Sequence, residues 1–258
     1  MTQFWKLHGI GNDFVFLEPG ASPTVELIRE LCSRESGVGS DGLITLDSIK
    51  SPVATMRMWN PDGSESGMCG NGLRCAALWL NLHHSHQHVW QIWLGGKAYE
   101  VQTVERDRFA VKIGQAVVSS NPVTCQLGET SVSGIAVDVG NPHLVIFVED
   151  DPSTHLSHGL KLEHHASFPN RTNVHFAFVH DGEITMVTWE RGAGPTLACG
   201  SGACAVAAAA TALHGTSSDW LVHLPGGDLK IDGAHDSITM IGPAELVFQG
   251  EFSSSTCH

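Results

Sequence analysis

The feature of this sequence that most constrains its fold is a pair of Cys-Gly-x-Gly motifs separated by 130 residues, half of a 258-residue chain. The motifs begin at Cys69 and Cys199, and the same offset superimposes Trp59 on Trp189. A repeat of this period is typical of a duplicated domain, because the repeats of solenoid proteins are far shorter. The sequence therefore predicts two homologous halves.

Each motif opens a run of helix-forming, mostly apolar residues, over about 71–82 and 203–213. The second run is apolar on every face, so it must be surrounded by protein. Many short strand-like segments with turns between them flank both runs. We therefore predict an α/β (α+β) fold of two pseudo-symmetric domains, each a curved, mostly antiparallel sheet or barrel wrapped around a central buried helix.

The two halves are expected to divide the chain almost equally. We place the first at 1–115, with Cys69, and the second at 116–246, with Cys199. The last strand, about 247–258, is expected to return to the first half. A site shared by the two halves is the natural consequence of such a duplication.

Composition excludes several classes of partner. Asp and Glu outnumber Lys and Arg by 27 to 14, and the formal charge of -13 repels nucleic acid and anionic lipid. The sequence contains no apolar stretch of about 18 residues and no signal-peptide pattern at its start. We expect a cytoplasmic protein that binds a small molecule, with no membrane partner; a homodimer stays open.

The seven cysteines are odd in number and lack the spacing of zinc ligands, so reduced thiols and no metal site are expected. A compact histidine cluster, residues 83–88, could bind a divalent metal. The interpretation as a solvated loop is favoured, because the cluster brings no cysteine or carboxylate with it.

A cysteine directly before Gly-x-Gly and a helix lies where unpaired backbone N–H groups and the positive end of the helix dipole converge. This placement is expected to lower the pKa of the thiol and to create a carboxylate site beside it. If the two halves face each other, the thiolate of one cysteine could remove a proton from a bound carbon while the thiol of the other delivers one from behind. Such an arrangement indicates a stereoinversion.

Further motifs accompany the two cysteines in a fixed order between residue 4 and about 227. They are Gly9-Ile10-Gly11-Asn12-Asp13-Phe14-Val15, Asn60-Pro61-Asp62-Gly63-Ser64, Met68-Cys69-Gly70-Asn71-Gly72-Leu73-Arg74-Cys75, Gly140-Asn141-Pro142-His143, Phe168-Pro169 with Thr172-Asn173-Val174, Glu190-Arg191-Gly192-Ala193-Gly194, and Ala198-Cys199-Gly200-Ser201-Gly202-Ala203-Cys204. Together they resemble the motifs of the diaminopimelate epimerase family. The Cys-Gly-x-Gly pair alone would be shared with related cofactor-independent racemases and isomerases.

The resemblance implies interconversion of LL- and meso-diaminopimelate without pyridoxal phosphate or any other cofactor, in the route to lysine and peptidoglycan precursors. It implies that Cys69 and Cys199 are the acid/base residues and that His143 and Glu190 lie beside the reacting centre. The substrate-binding residues that it implies are Asn12, Asn60, Gly70, Asn71, Asn141, Asn173, Glu190, Arg191, Gly200 and Ser201.

Some positions depart from the family pattern. Ser201 stands where threonine is common, which keeps the backbone donor. Gly42 stands where some members carry a glutamine that contacts substrate, so no role passes to it.

Two alternatives stay open. One is a racemase of the same fold for another amino acid, such as histidine. Arg191 and the asparagines discriminate against it, because a substrate without a second amino-acid group has no use for them. The other is a non-catalytic thiol switch or metal-binding protein that uses Cys69 and Cys199.

Overall fold

The computed structural model describes residues 1–215, 219–233 and 237–253. The chain divides into two compact units, Met1–Val111 with the chain from Gly242 onward, and Lys112–Ile241. Cys257 and the end of the predicted last strand lie outside the described residues. Within the described residues, no helix is long and apolar enough to cross a membrane.

The first unit is a sheet that carries two helices. Its strands are β1 (Thr2–Gly9), β2 (Asn12–Leu17), β3 (Gly42–Lys50), β4 (Val53–Trp59), β5 (Val89–Leu94), β6 (Lys97–Glu105), β7 (Arg108–Gly114), which runs into the second unit, and β18 (Glu245–Phe252). Its helices are α1 (Val25–Cys32) and α2 (Gly70–His83). Strand β18 pairs antiparallel with β1.

The second unit is likewise a sheet that carries helices, with more elements than the first. Its strands are β8 (Val117–Val118), β9 (Val123–Leu127), β10 (Thr130–Asp138), β11 (Pro142–Phe147), β12 (Asn173–His180), β13 (Glu183–Glu190), β14 (Gly194–Thr196), β15 (Trp220–Leu224), β16 (Gly227–Asp232) and β17 (Ile238–Pro243), which runs into the first unit. Its helices are a 3₁₀ helix (Pro152–His158), α3 (Gly159–Glu163) and α4 (Gly200–His214).

The two units share one strand-pairing pattern. In the first, β2 and β3 are parallel, as are β4 and β5, and the remaining neighbours are antiparallel. In the second, the parallel pairs are β11 with β12 and β13 with β15. Parallel neighbours need a crossover, and the second crossover in each unit contains the helix that follows the cysteine motif.

The 130-residue offset also relates strands that lie far from the cysteine motifs. It carries the start of β2 onto the start of β11, β4 onto β13, β6 onto β16 and β7 onto β17. The sequence predicted this duplication from a few positions, and the structure shows it along the chain.

The helices α2 and α4 are the central elements of their units. Nearly every residue of α4 from Gly200 to Thr211 is buried, and the helix packs against β10, β11, β12 and β16 among other strands. Helix α2 is buried from Gly70 to Leu80 and packs against β1, β6 and β18. The predicted mixed α/β fold, with a mostly antiparallel sheet around a buried helix, is confirmed. The assignment of one epimerase half to each unit stays a prediction.

Candidate active site

Cys69 is the N-cap residue of α2 in the first unit. Its backbone is extended, and its Sγ accepts a hydrogen bond from the backbone N–H of Gly72 at 3.3 Å. The helix begins at Gly70, so the N–H groups of its first turn have no partner within the helix. The thiol is partly exposed. Cys69 therefore lies beside backbone donors that suit a carboxylate.

Cys199 caps α4 in the second unit in the same way. Its Sγ accepts from the backbone N–H of Gly202, also at 3.3 Å, and Ser201 Oγ lies 3.6 Å from the same sulfur. The residue is only 4% exposed. Gly200 and Ser201 form the first turn of α4, where the resemblance places the carboxylate donors.

The expectation that its position lowers the thiol pKa is wrong for Cys199. Burial raises the pKa of this thiol well above its usual value, and the nearby Glu190 carboxylate raises it further, partly through a hydrogen bond. The contacts with Ser201 and the Gly202 N–H lower the pKa, but they do not outweigh the burial. Cys199 is therefore a protonated thiol near neutral pH in this structure.

A series of hydrogen bonds links two of the predicted substrate residues of the first unit, Asn12 and Asn71. Asn71 Nδ2 donates to Asn12 Oδ1 at 3.0 Å, and Asn12 Nδ2 donates to Asp41 Oδ2 at 2.9 Å. Arg74 Nη2 donates to Asn71 Oδ1 at 2.8 Å, and its Nε donates to Pro243 O at 3.0 Å. The structure thus brings Asn12 and Asn71 together and ties each to a charged residue.

Charged groups surround Asp41, where this series of hydrogen bonds ends. Burial alone would raise the pKa of Asp13, but hydrogen bonds from Arg34 and Lys6 outweigh it and lower the pKa to about 2. The pKa of Asp41 is raised by burial and by the neighbouring Asp13. Asn60 does not take part in these hydrogen bonds. It lies in the turn after β4, where its Nδ2 donates to Ser64 Oγ at 2.9 Å.

In the second unit the structure brings Asn141 and His143 to the first turn of α4. His143 Nε2 lies 2.8 Å from Asn141 Oδ1, and Asn141 Nδ2 donates to Ser201 Oγ at 3.4 Å. His143 is 1% exposed. Burial lowers its pKa well below the usual value, and the nearby His175 and Arg191 lower it further. His143 is therefore a neutral imidazole.

Glu190, Arg191 and Asn173 form a second group in this unit. Glu190 Oε1 accepts from Thr196 Oγ1 at 2.6 Å, and its carboxylate interacts with the Cys199 thiol. Asn173 Oδ1 accepts from the backbone N–H of Arg191 at 3.0 Å. The Arg191 Nη1 donates to Asn170 O at 3.3 Å. These contacts place a carboxylate and a guanidinium at adjacent positions of one turn.

Sequence reasoning missed Glu163, which holds that turn. Its carboxylate is 2% exposed and accepts from Trp189 Nε1 at 2.8 Å, from Gly192 N at 2.9 Å and from Arg171 Nη1 at 3.2 Å. Burial would raise its pKa, but the hydrogen bonds from Trp189 and Gly192 lower it, and the charge of Arg171 lowers it further. Its short helix, α3, carries no motif, and only the unusual burial of a glutamate identifies it.

His175 and Arg74 were also missed. Both side chains are 0% exposed, and each contacts a predicted site residue, His143 and Asn71 respectively. Arg74 stands inside the first motif and could have been singled out, since a charge in an otherwise apolar helical run needs a partner. His175 gives no such signal, because it is one residue of an alternating strand.

The histidine cluster 83–88 belongs to the end of α2 and the loop after it. All four histidine side chains are exposed, and the His83 ring lies against that of Trp79 at a tilt, with ring centroids 4.7 Å apart. In the described ranges, 1–215, 219–233 and 237–253, no group of three or more His, Cys, Asp or Glu side chains could hold a metal ion.

The fold is similar to those of several solved structures. It is similar to a predicted epimerase from Pseudomonas aeruginosa, with a TM-score of 0.75 at 18% identity, over 99% of this chain and 100% of the other. It is also similar to a hydroxyproline epimerase from Agrobacterium vitis, with a TM-score of 0.74 at 13% identity, over 96% of this chain and 91% of the other. The structure therefore shares its fold with these two proteins, which are named as epimerases.

Sequence comparison resolves the family within that class. The model of the diaminopimelate epimerase family matches residues 4–119 and 135–247. The chain is 41% identical to a diaminopimelate epimerase of Desulfitobacterium hafniense, over 95% of this chain and 96% of the relative, and 36% identical to one of Methanothermobacter thermautotrophicus, over 97% and 98%. This chain belongs to the diaminopimelate epimerase family, as its motifs predicted.

Proposed function

We propose that this chain is an isomerase that interconverts LL- and meso-2,6-diaminopimelate by proton transfer through two cysteines, without a cofactor. The observation that carries the proposal is the equivalent placement of Cys69 and Cys199, each capping a buried helix in a chain of this family. The reaction would serve lysine and peptidoglycan precursor biosynthesis.

In the proposed step, one proton moves from the substrate to one cysteine and another moves from the second cysteine to the substrate. The thiolate of one cysteine takes the α-proton and becomes a thiol, and the electron pair left on carbon spreads into the α-carboxylate. The other thiol gives its proton to the opposite face of that carbon and becomes the thiolate. Because the raised pKa keeps Cys199 protonated, it is the donor in the direction that starts with Cys69 as the thiolate.

The helix termini supply the electrostatic part of the proposal. Backbone N–H groups of Gly70, Asn71, Gly200 and Ser201 would bind the α-carboxylate, where negative charge accumulates during proton transfer. The Asn71 side chain already donates to Asn12 and accepts from Arg74, which favours its backbone as the donor.

The remaining residues would recognise the rest of the substrate. Glu190 suits the α-ammonium, and Arg191 suits the distal carboxylate, because a guanidinium binds a carboxylate through two parallel hydrogen bonds. The residues that line the rest of the substrate would be Asn12, Asn60, Asn141 and Asn173. Asn173 accepts from the Arg191 backbone, so it would also fix the turn that carries the guanidinium.

The test is to incubate the reduced protein with LL-diaminopimelate and resolve the stereoisomers chromatographically, with a chelator present. We expect meso-diaminopimelate to accumulate. Lysine, alanine and histidine should be processed at least about a hundredfold less efficiently, since each buried polar group left unpaired costs about 1 to 3 kcal/mol. Comparable kcat/KM on histidine would favour the broader racemase, and no turnover at all would favour the thiol switch.

Arg191→Met tests the distal site directly. It removes the proposed partner of the distal carboxylate and should lower kcat/KM at least about tenfold. Arg106→Met, at an exposed position in the turn between β6 and β7, is the control and should leave kcat/KM unchanged. An unaffected Arg191→Met enzyme would contradict the proposed substrate. The cytoplasmic location and the homodimer stay predictions.

A further inference from the structure

A buried pair of histidines lies behind the first turn of α4. Strands β11 and β12 are parallel neighbours, and His143 and His175 project from them with ring centroids 5.0 Å apart. His143 Nδ1 lies 2.8 Å from His175 Nε2. His175 is 0% exposed, and a side-chain carbon added at Gly202 would come within 2.3 Å of its ring. The His175 ring therefore fills the space against α4.

The partners of the pair determine which nitrogens carry protons. Asn141 Oδ1 can only accept, so His143 Nε2, at 2.8 Å, carries a proton and donates. Burial lowers the pKa of both rings, to about 3 for His175, so both are neutral and each carries one proton. His143 Nδ1 is consequently an acceptor, and His175 Nε2 donates to it.

The contact of the other ring nitrogen of His175, Nδ1, sets the direction of the remaining hydrogen bond. His175 Nδ1 must accept, and Thr188 Oγ1, on the opposing residue of β13, lies 3.0 Å away and donates. The hydrogen bonds thus run in one direction, from Thr188 through His175 and His143 to Asn141. At the end of this relay the Asn141 amide is oriented with its oxygen toward His143 and its N–H₂ toward Ser201.

We propose that His175 is a positioning residue that holds His143 as the neutral Nε2–H tautomer and thereby keeps the Asn141 amide N–H₂ directed at the first turn of α4. With the opposite tautomer, His143 Nε2 would be an acceptor, and the Asn141 amide would turn its oxygen toward that turn. An oxygen there would repel the carboxylate that the proposed function places at this helix terminus. The catalytic part of this inference rests on the proposed function, whereas the tautomer does not.

The tautomer is measured by NMR of the full chain labelled with ¹⁵N-histidine. In the unmodified protein we expect His143 to show a protonated Nε2 and an unprotonated Nδ1, with the same pattern for His175, at neutral pH. His175→Phe keeps a ring against α4 but removes the donor to His143 Nδ1. In this variant we expect His143 no longer to be solely the tautomer with a protonated Nε2 and an unprotonated Nδ1. A proton on Nδ1 of His143 in the unmodified protein would overturn the proposal, whether or not the protein epimerises diaminopimelate.

Steady-state kinetics test whether the hydrogen bond from His175 contributes to the proposed epimerisation. His175→Phe should lower kcat/KM at least about tenfold, because it leaves a buried acceptor unpaired and frees the Asn141 amide. His175→Gln, whose Nε2 can replace the donor, should stay within about threefold of the unmodified enzyme. His180→Phe, at a position that is 70% exposed, is the control for the same substitution and should have no effect. Equal loss in the Gln and Phe variants, or no loss in either, would contradict a role through the hydrogen bond.

Discussion

The N-termini of α2 and α4 have the same cap and different surroundings. In each, a cysteine Sγ accepts from the backbone N–H three residues later at 3.3 Å. Cys199 is buried beside a carboxylate, whereas Cys69 is partly exposed. The comparison indicates that the duplication keeps the geometry of the cap and that the residues around it set the chemistry of each thiol.

The hydrogen-bonded side chains next to each helix N-terminus, here called its polar layer, differ in charge between the two units. In the first unit it is a network of charged and amide groups that runs from Arg74 through Asn71 and Asn12 to Asp41. In the second it is the neutral relay from Thr188 to Asn141. Asp13 and His143 are equivalent under the 130-residue offset, so one position carries a carboxylate with a lowered pKa in one unit and a neutral imidazole in the other.

The largest expected effect comes from removing either thiol. Cys69→Ala and Cys199→Ala should each lower kcat/KM about a thousandfold or more, since each removes one acid/base group that nothing replaces. Circular dichroism and the unfolding midpoint should stay close to those of the unmodified protein. If only one of the two variants lost activity, the two cysteines would share the same helix-capping geometry, but only one of them would act as an acid/base group.

The next effect tests the charged layer of α2. Arg74→Leu leaves the Pro243 carbonyl and the Asn71 amide oxygen without their buried donor and should lower the free energy of unfolding by about 2 to 4 kcal/mol. Cys204→Ala, at the equivalent position of α4, should cost about 1 kcal/mol. Urea denaturation measures both. Equal costs would contradict the difference between the two layers, and Arg106→Leu, on the surface, should stay within about 0.5 kcal/mol of the unmodified protein.

The smallest effect compares the reactivity of the thiols. Iodoacetamide should modify Cys69 at least about tenfold faster than Cys199 at pH 8, because Cys199 is buried and its raised pKa keeps it protonated. Peptide mass spectrometry gives both rates from one sample. Cys75, 0% exposed in α2 with a pKa that burial raises, serves as the unreactive control. Faster labelling of Cys199 would show that its surroundings in solution differ from those described.

Local signals in the sequence were enough to predict the central helices. The predicted run over 203–213 corresponds to Gly200–His214, and Gly215, in the left-handed conformation with φ of 62°, ends the helix where the sequence places a glycine. The run over 71–82 corresponds to Gly70–His83. Such boundaries depend on neighbouring residues, which a sequence displays directly.

Two features of the site depend on distant residues and could not be predicted. The partner of His143 follows from the parallel pairing of β11 with β12, which brings His175, 32 positions away, within hydrogen-bond distance. The pKa of Cys199 follows from its burial, which the motif does not reveal. The sequence predicts backbone N–H groups beside Cys199, and the Gly202 N–H lowers the pKa of this thiol, but the larger opposing effect of burial is visible only in the structure.

The central claim is that both cysteines exchange protons with one carbon, and deuterium incorporation tests it most directly. LL-diaminopimelate is incubated with the reduced protein in D₂O, and the first meso product is isolated and analysed by mass spectrometry. We predict one deuterium at the inverted carbon from the first turnover, because the donor thiol has already exchanged with solvent. Early meso product without deuterium would mean that a single group removes and returns the same proton, and it would contradict the two-cysteine account.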